Sequence, residues 1–211
     1  MTPREQLLRG LAAQNLDLGV EAEDKLLAYA ALLQKWNKVH NLTALREESL
    51  IVSHHLLDSL SVLPFLAKSK SLADIGSGGG LPGIPLAIVR PGLPITLVES
   101  SSKKAAFLLQ AKIELKLANV SVQGVRVESL KADKSCDLFD SVTSRAFSSL
   151  ADFVRLAGHL VAQGGALFAM KGVLPQEEID QLPAGWRVRE THPLAVAGLD
   201  AQRHLIIVER A

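Results

Sequence analysis

The sequence predicts an α/β fold: a mostly parallel sheet covered on both faces and preceded by a helical cap. Three observations predict it. From about residue 69 onward, short runs of Ile, Val, Leu and Phe alternate with helix-like segments, the pattern of parallel strands joined by crossover helices. Residues 3 to about 68 carry apolar side chains at helical spacing. The last two apolar runs are joined by a loop too short for a parallel crossover, so they pair antiparallel at a sheet edge.

Taken in order, the cap opens with AEDKLLAYAALLQKW, where Leu26, Ala30, Leu33 and Trp36 recur on one helical face and Glu23 and Asp24 sit near the favourable N-terminal end. KVHNLTALREES follows, and Asn41 and Thr43 mark a turn or cap. HHLLDSLSVLPFL continues the helical pattern and stops near Pro64. SLADI, PITLVES, SVQGV, LFDSVTS and GALFAMK then read as strands, separated by the helical segments GIPLAIVR, SKKAAFLLQAKIELKL, SLADFVRLAGHLV and LPQEEIDQL. WRVRETHPL and HLIIVER form the antiparallel tail. There is no internal repeat, and the expected division is a cap over residues 1–68 and an α/β domain over 69–211, forming one structural unit.

Composition narrows the function. With 211 residues, 48% of them hydrophobic and 21% charged, the chain has the makings of a large core. Lys and Arg total 23 against 22 acids, a net charge of +1, which excludes a globally basic nucleic-acid coat protein and leaves room only for local basic patches. Aromatics at 4% argue against a base-stacking platform. The single cysteine, Cys136, forms no internal disulfide and supplies no Cys-based zinc site. The N-terminal stretch does not read as a secretory signal, and no apolar run approaches membrane-spanning length, so the expected compartment is the cytoplasm, with no membrane partner.

The strongest local signal is LADIGSGGGLPGIPLAIV. A strand carrying Asp74 near its end runs into Gly76, Gly78, Gly79, Gly80 and Gly83, followed by an apolar helix whose first turn tolerates proline. Helix N-terminal amides then face whatever occupies the turn. Gly78, Gly80 and Gly83 satisfy the G-x-G-x-x-G dinucleotide pattern. In a second register, an acid followed by G-x-G-x-G resembles the first motif of the S-adenosylmethionine-dependent methyltransferases. An acid suits a cofactor ammonium better than a pyrophosphate. Glu99 ends the next strand, where an acid accepts ribose hydroxyls of either cofactor or, alternatively, caps the helix that follows. A dehydrogenase would need a substrate domain for which few residues remain, and the inserted antiparallel last strand resembles the methyltransferase sheet.

KWNKVHNLTA, HHLLDSL, DIGSGGGLPGIPLAI, ESSSKKAAFL, VTSRAFSSL, MKG and DAQRHL occur in this order. Together they resemble the bacterial 16S rRNA guanine-N7 methyltransferase G family, also called glucose-inhibited division protein B, across nearly the whole chain. The resemblance implies a Rossmann-like methyltransferase sheet, S-adenosylmethionine as cofactor, and 16S rRNA within the small ribosomal subunit as partner. It further implies guanine 527 of the decoding region as target. Carried over by position, Asp74, Gly76, Gly78, Leu81, Glu99, Ser100, Val127, Glu128 and Arg145 surround the cofactor. From the residues alone, RVESLKAD favours a solvated charge for Glu128.

Guanine N7 has an in-plane lone pair and no proton, so its methylation needs alignment and no catalytic base or nucleophile. Cys136 accordingly reads as an ordinary thiol near a strand. Asn41, Thr43, His55, Arg145, Lys171 and Arg203 are the RNA candidates. For Arg145 the alternative is a structural salt bridge; for Lys171, Arg203 and His204 it is loop charge; for Asn41, Thr43, His55 and Asp58 it is helix capping and a satisfied histidine. His54 and Asp58 have metal-ligand spacing but no third ligand, so no metal is expected. Residues 99–135 hold seven basic residues, Lys103, Lys104, Lys112 and Lys116 among them, against four acids. This is a modest basic patch or only a solvated helix face. A monomer without a strong basic surface is expected to act on a folded particle in preference to free RNA. The competing readings are a non-catalytic ribosome-assembly factor and a nicotinamide-dependent oxidoreductase.

Overall fold

The computed structural model describes residues 1–45, 47–130, 138–145 and 147–211. Cys136 and part of the basic 99–135 segment lie outside the described residues. The chain begins with α1 (Pro3–Ala13), entered through a capping box: the Thr2 hydroxyl accepts from the Glu5 amide, and the Glu5 carboxylate accepts from the Thr2 amide. Helix α2 (Val20–His40) stops at Asn41, whose φ of 49° is the left-handed C-cap conformation that asparagine tolerates.

The expected continuous helix over HHLLDSLSVLPFL is broken. Helix α3 (Glu48–Ile51) runs into a π turn (Val52–Leu57), then α4 (Asp58–Leu60), then a 3₁₀ turn (Leu63–Leu66). In the π turn the Asp58 amide reaches back to the Ser53 carbonyl, one residue beyond its α-helical partner. Periodicity cannot see this, because one inserted residue leaves the run of apolar positions nearly unchanged.

Among the described residues seven strands follow: β1 (Leu72–Ile75), β2 (Ile95–Val98), β3 (Val120–Gln123), β4 (Phe139–Ser144), β5 (Val161–Lys171), β6 (Trp186–Pro193) and β7 (His204–Arg210). Their order is β3-β2-β1-β4-β5-β7-β6. The pairings from β3 to β5 are parallel, and β7 enters antiparallel between β5 and β6, as the tail predicts. Strand β5 starts at Val161, inside the segment expected to be helical, because α7 (Leu150–Ala157) ends at Gly158. The crossovers are α5 (Gly83–Val89) and α6 (Ser102–Glu114) on one face, with α7 and the short α8 (Gln176–Asp180) serving the other.

Two cores flank the sheet. Ala166, Phe168 and Met170 of β5 point into one, Leu167 and Ala169 into the other, the period-2 alternation of a doubly covered strand. The first core also holds Leu7, Leu11, Leu26, Leu33, Leu56 and Leu60, so the N-terminal helices share a single hydrophobic interior with α5 and α6. Among the described residues no helix is long and apolar enough to cross a membrane.

Candidate active site

The glycine loop between β1 and α5 folds over the end of β2. The Gly76 and Ser77 amides both donate to the Val98 carbonyl, at 2.9 and 3.1 Å. Gly76 (φ 67°) and Gly78 (φ 55°) hold positive φ, and a Cβ built on Gly76 would meet nothing within 4 Å, so the loop leaves open space above it. Two buried carboxylates brace the loop. Glu99, 7% exposed, accepts from the Gly78 amide at Oε2 (2.9 Å) and from the Ser101 amide at Oε1 (2.8 Å). It thus ties the loop to the start of α6, and each oxygen keeps a lone pair for a further donor.

Asp74 lies fully buried beneath the loop. Its Oδ2 accepts from the Gly83 amide in the first turn of α5 (3.0 Å), while its Oδ1 is buried with no partner among the described residues. Burial pushes this carboxyl up to about 7, against the Gly83 hydrogen bond and the positive charge of Arg145. Its immediate contact is thus the helix amide. Tyr29 of α2 completes the support, its buried hydroxyl donating to the Gly79 carbonyl. Tyr29 was missed in the sequence because it reads there as one more apolar face residue.

Beside the loop, the carboxyl edge of the sheet opens into a cavity of about 380 Å³ lined by Leu45, His54, His55, Asp58, Arg145, Met170, Lys171, Gly172 and Arg203. Arg145 follows β4, Lys171 ends β5, and the Lys171–His204 pairing brings the entry to β7 to the same edge. Arg145 Nη1 donates to Asp58 Oδ2 (3.2 Å) and to the His54 carbonyl (3.1 Å), and Arg203 Nε donates to Asp58 Oδ1 (2.9 Å). Lys171 lines the cavity too, but its ammonium is held by Glu178 (2.8 Å) and by the Phe147 carbonyl (3.3 Å). His204 is tied through Nδ1 to the Gly172 carbonyl at 2.7 Å.

His55 is buried, with Nδ1 2.9 Å from the His54 carbonyl and Nε2 3.1 Å from the Thr43 hydroxyl. A carbonyl only accepts, which puts the proton of that contact on Nδ1; Arg145 Nη1 lies 3.4 Å from the same nitrogen, and Nε2 faces a Thr43 hydroxyl that also reaches the Leu45 carbonyl at 3.2 Å. Burial and the nearby Arg145 charge lower its pKa to about 4, so the imidazole is neutral at pH 7. Thr43 is held in turn by Asn37, whose Oδ1 accepts from the Thr43 amide (2.9 Å) and whose Nδ2 donates to the Leu45 carbonyl (2.8 Å). Asn37 is another residue the sequence does not single out.

The structure therefore brings Gly76, Gly78 and Glu99 into the loop half of the site, and His55, Arg145, Lys171 and Arg203 into the cavity half, with Thr43 against His55. Ser100 is exposed beside Glu99. Leu81 is buried beneath the loop, with its amide donating to the Ser77 carbonyl. Val127 is buried on a 3₁₀ turn (Val127–Ser129) after β3, with Glu128 exposed next to it. Asn41 stays exposed at the end of α2. Among the described residues, no cluster of three His, Cys, Asp or Glu side chains forms a metal site.

A glycine loop at the switch point of a parallel sheet, with β7 inserted antiparallel, defines the Rossmann-like methyltransferase fold. Solved structures agree. The O-methyltransferase TomG from Streptomyces achromogenes aligns over 100% of this chain and 99% of its own, with a TM-score of 0.63 at 14% identity. A ribosomal protein L11 methylase from Lactobacillus delbrueckii subsp. bulgaricus covers 74% of this chain and 78% of its own, with a TM-score of 0.57 at 14% identity. The particular family follows from sequence. Residues 22–206 match the GidB model, rRNA small subunit methyltransferase G. The ribosomal RNA small subunit methyltransferase G of Azoarcus sp. (strain BH72) is 59% identical over 97% of this chain and 95% of its own length. That of Neisseria meningitidis serogroup C (strain 053442) is 51% identical over the full length of both. The chain belongs to the rRNA small subunit methyltransferase G family.

Proposed function

We propose that this protein transfers the methyl group of S-adenosylmethionine to N7 of a specific guanine in 16S rRNA, presented within the small ribosomal subunit. The observation that carries the reading is the placement, at one sheet edge, of a glycine loop braced by Glu99 beside an arginine-lined cavity. The residues fit the cofactor: Gly76 leaves room above the loop, and Glu99 has lone pairs to spare for ribose hydroxyls. When bound, S-adenosylmethionine supplies an electrophilic methyl carried on sulfur. Val127 and Glu128 flank the adenine side, and Arg145 bounds both halves.

On the substrate side, Arg145 and Arg203 receive the RNA, while Thr43 and His55 shape the wall between cap and sheet. Guanine N7 carries a free lone pair, so these residues need only align it and exclude water. A neutral His55 with both nitrogens engaged supports a role in shaping the site and none in proton transfer. The near-neutral surface favours a folded particle as substrate.

The test incubates the purified protein and labelled S-adenosylmethionine with small subunits from cells lacking the enzyme, then maps N7-methylguanosine. One guanine should be labelled, faster on the subunit than on protein-free 16S rRNA. No label from folded protein would sink the reading, and equal rates would sink its particle preference.

A further inference from the structure

We infer that Asp58 is the positioning residue for the substrate half of this site, its carboxylate setting Arg145 and Arg203 as a paired receptor for one RNA phosphate. The inference rests on the function proposed above. Asp58 is 1% exposed, and each of its oxygens serves a different arginine: Arg145 Nη1 at Oδ2 and Arg203 Nε at Oδ1. Those arginines lie 87 and 145 residues away, after β4 and before β7. Their side chains remain 23% and 26% exposed.

A carboxylate this buried needs a counter-charge, and one arginine would neutralise it. The second leaves the trio with one net positive charge facing the cavity. Backbone carbonyls take further donors on the inner side: His54 accepts from Arg145 Nη1 and Gln202 from Arg203 Nη1. Nε and Nη2 of Arg145 and Nη2 of Arg203 keep no protein partner among the described residues, and both arginines line the cavity. Two guanidinium groups held on one carboxylate, with outward donors left over, suit a tetrahedral phosphate oxyanion. Lys171 does not compete for this role, since Glu178 already pairs with it.

The π turn explains how the carboxylate gets there. Asp58 N–H bonds to the Ser53 carbonyl, and the His54 carbonyl receives Arg145. The wide turn therefore presents both a backbone and a side-chain acceptor to the same guanidinium.

The test is Asp58→Asn, which keeps the shape but removes the charge and turns an amide N–H₂ toward one arginine. KM and kcat are measured on unmethylated small subunits, and the S-adenosylhomocysteine Kd by calorimetry. KM for subunits should rise roughly tenfold or more, the effect of losing a charge-assisted hydrogen bond, while the cofactor Kd stays within about twofold. Asp58→Glu should recover part of the loss, and adding Asp58→Asn to Arg203→Met should cost less than Asp58→Asn costs alone, because only the Arg145 contact is then left to lose. If Asp58→Asn does not fold, Arg203→Lys keeps the charge but loses the Nε contact, and the same KM rise is expected. An unchanged subunit KM in a folded variant, or a parallel rise in subunit KM and cofactor Kd, would overturn the inference. Absence of transfer by the wild-type protein would overturn the underlying function, and this inference with it, a failure that the wild-type control separates from the others.

Discussion

Replacing Glu99 with glutamine tests the bracing of the loop most directly. Both carboxylate oxygens accept backbone amides, from Gly78 at 2.9 Å and Ser101 at 2.8 Å, in a side chain 7% exposed. Glutamine is the same size but offers one acceptor and one donor, so one amide must face N–H₂. A hydrogen bond to a charged group contributes about 1.5–3 kcal/mol, and a buried donor left unpaired costs about 1–3 kcal/mol. The cofactor-free protein should lose about 1–3 kcal/mol of stability, a fall in Tm of roughly 2–12 °C at about 2–4 °C per kcal/mol for a chain of this size. Ribose recognition weakens in addition. The Kd for S-adenosylhomocysteine should rise about 10- to 150-fold, at about 1.4 kcal/mol per tenfold. Calorimetry and thermal unfolding with and without S-adenosylhomocysteine measure both effects. A Glu99→Gln protein with wild-type Tm and a Kd within twofold would refute the reasoning.

Other outcomes follow from neighbouring contacts. In Gly83→Ala the new Cβ would lie 2.3 Å from Leu97 Cδ2 and 2.7 Å from Asp74 Oδ2, so α5 must move off the sheet. Urea unfolding should show a loss of about 1–3 kcal/mol, and unchanged stability would show that the helix can shift freely. Tyr29→Phe removes the one side-chain hydrogen bond that α2 makes to the loop among the described residues, at Gly79. It should cost about 1 kcal/mol and weaken S-adenosylhomocysteine a few-fold, measured by the same calorimetry. Asp74 binds its proton more tightly when folded, its carboxyl pushed from 3.8 up to about 7, so it adds stability as pH falls between those values. His55, lowered from 6.5 to about 4, removes stability as pH falls over its own range. Asp74→Asn abolishes the first effect, so its Tm should drop more steeply than wild type from pH 7 to pH 4. Parallel curves would contradict the assignment.

Much of the site could be read from local sequence because its causes are local. Glycines at 76 and 78 stand where the chain takes positive φ, a requirement of the backbone itself. The inserted antiparallel strand follows from a loop too short for a parallel crossover. Roles were harder to read than positions. Glu99 presents both a ribose-binding position and a cap, and the structure shows its oxygens already engaged by two amides. Lys171 reads as a free cation, yet Glu178 holds it, a pairing made by a turn of chain with no periodic signature. Tyr29 and Asn37 look like helix-face residues until the loops they support are folded against them.

Local sequence specifies the alternation of strand and helix, the glycine loop and its acid, and the near-neutral charge. Each is fixed by backbone sterics, side-chain periodicity or composition, which do not depend on distant neighbours. Assembly of the fold is what makes Arg145 and Arg203 meet on Asp58, with a π turn delivering that carboxylate and the His54 carbonyl together. Those partners are separated by 87 and 145 residues, and they become neighbours because the order β1-β4-β5-β7 gathers the ends of β4 and β5 and the entry to β7 along one edge beneath the cap. Strand order and burial are properties of the whole chain, so the chemistry that depends on them appears only when the sheet is assembled.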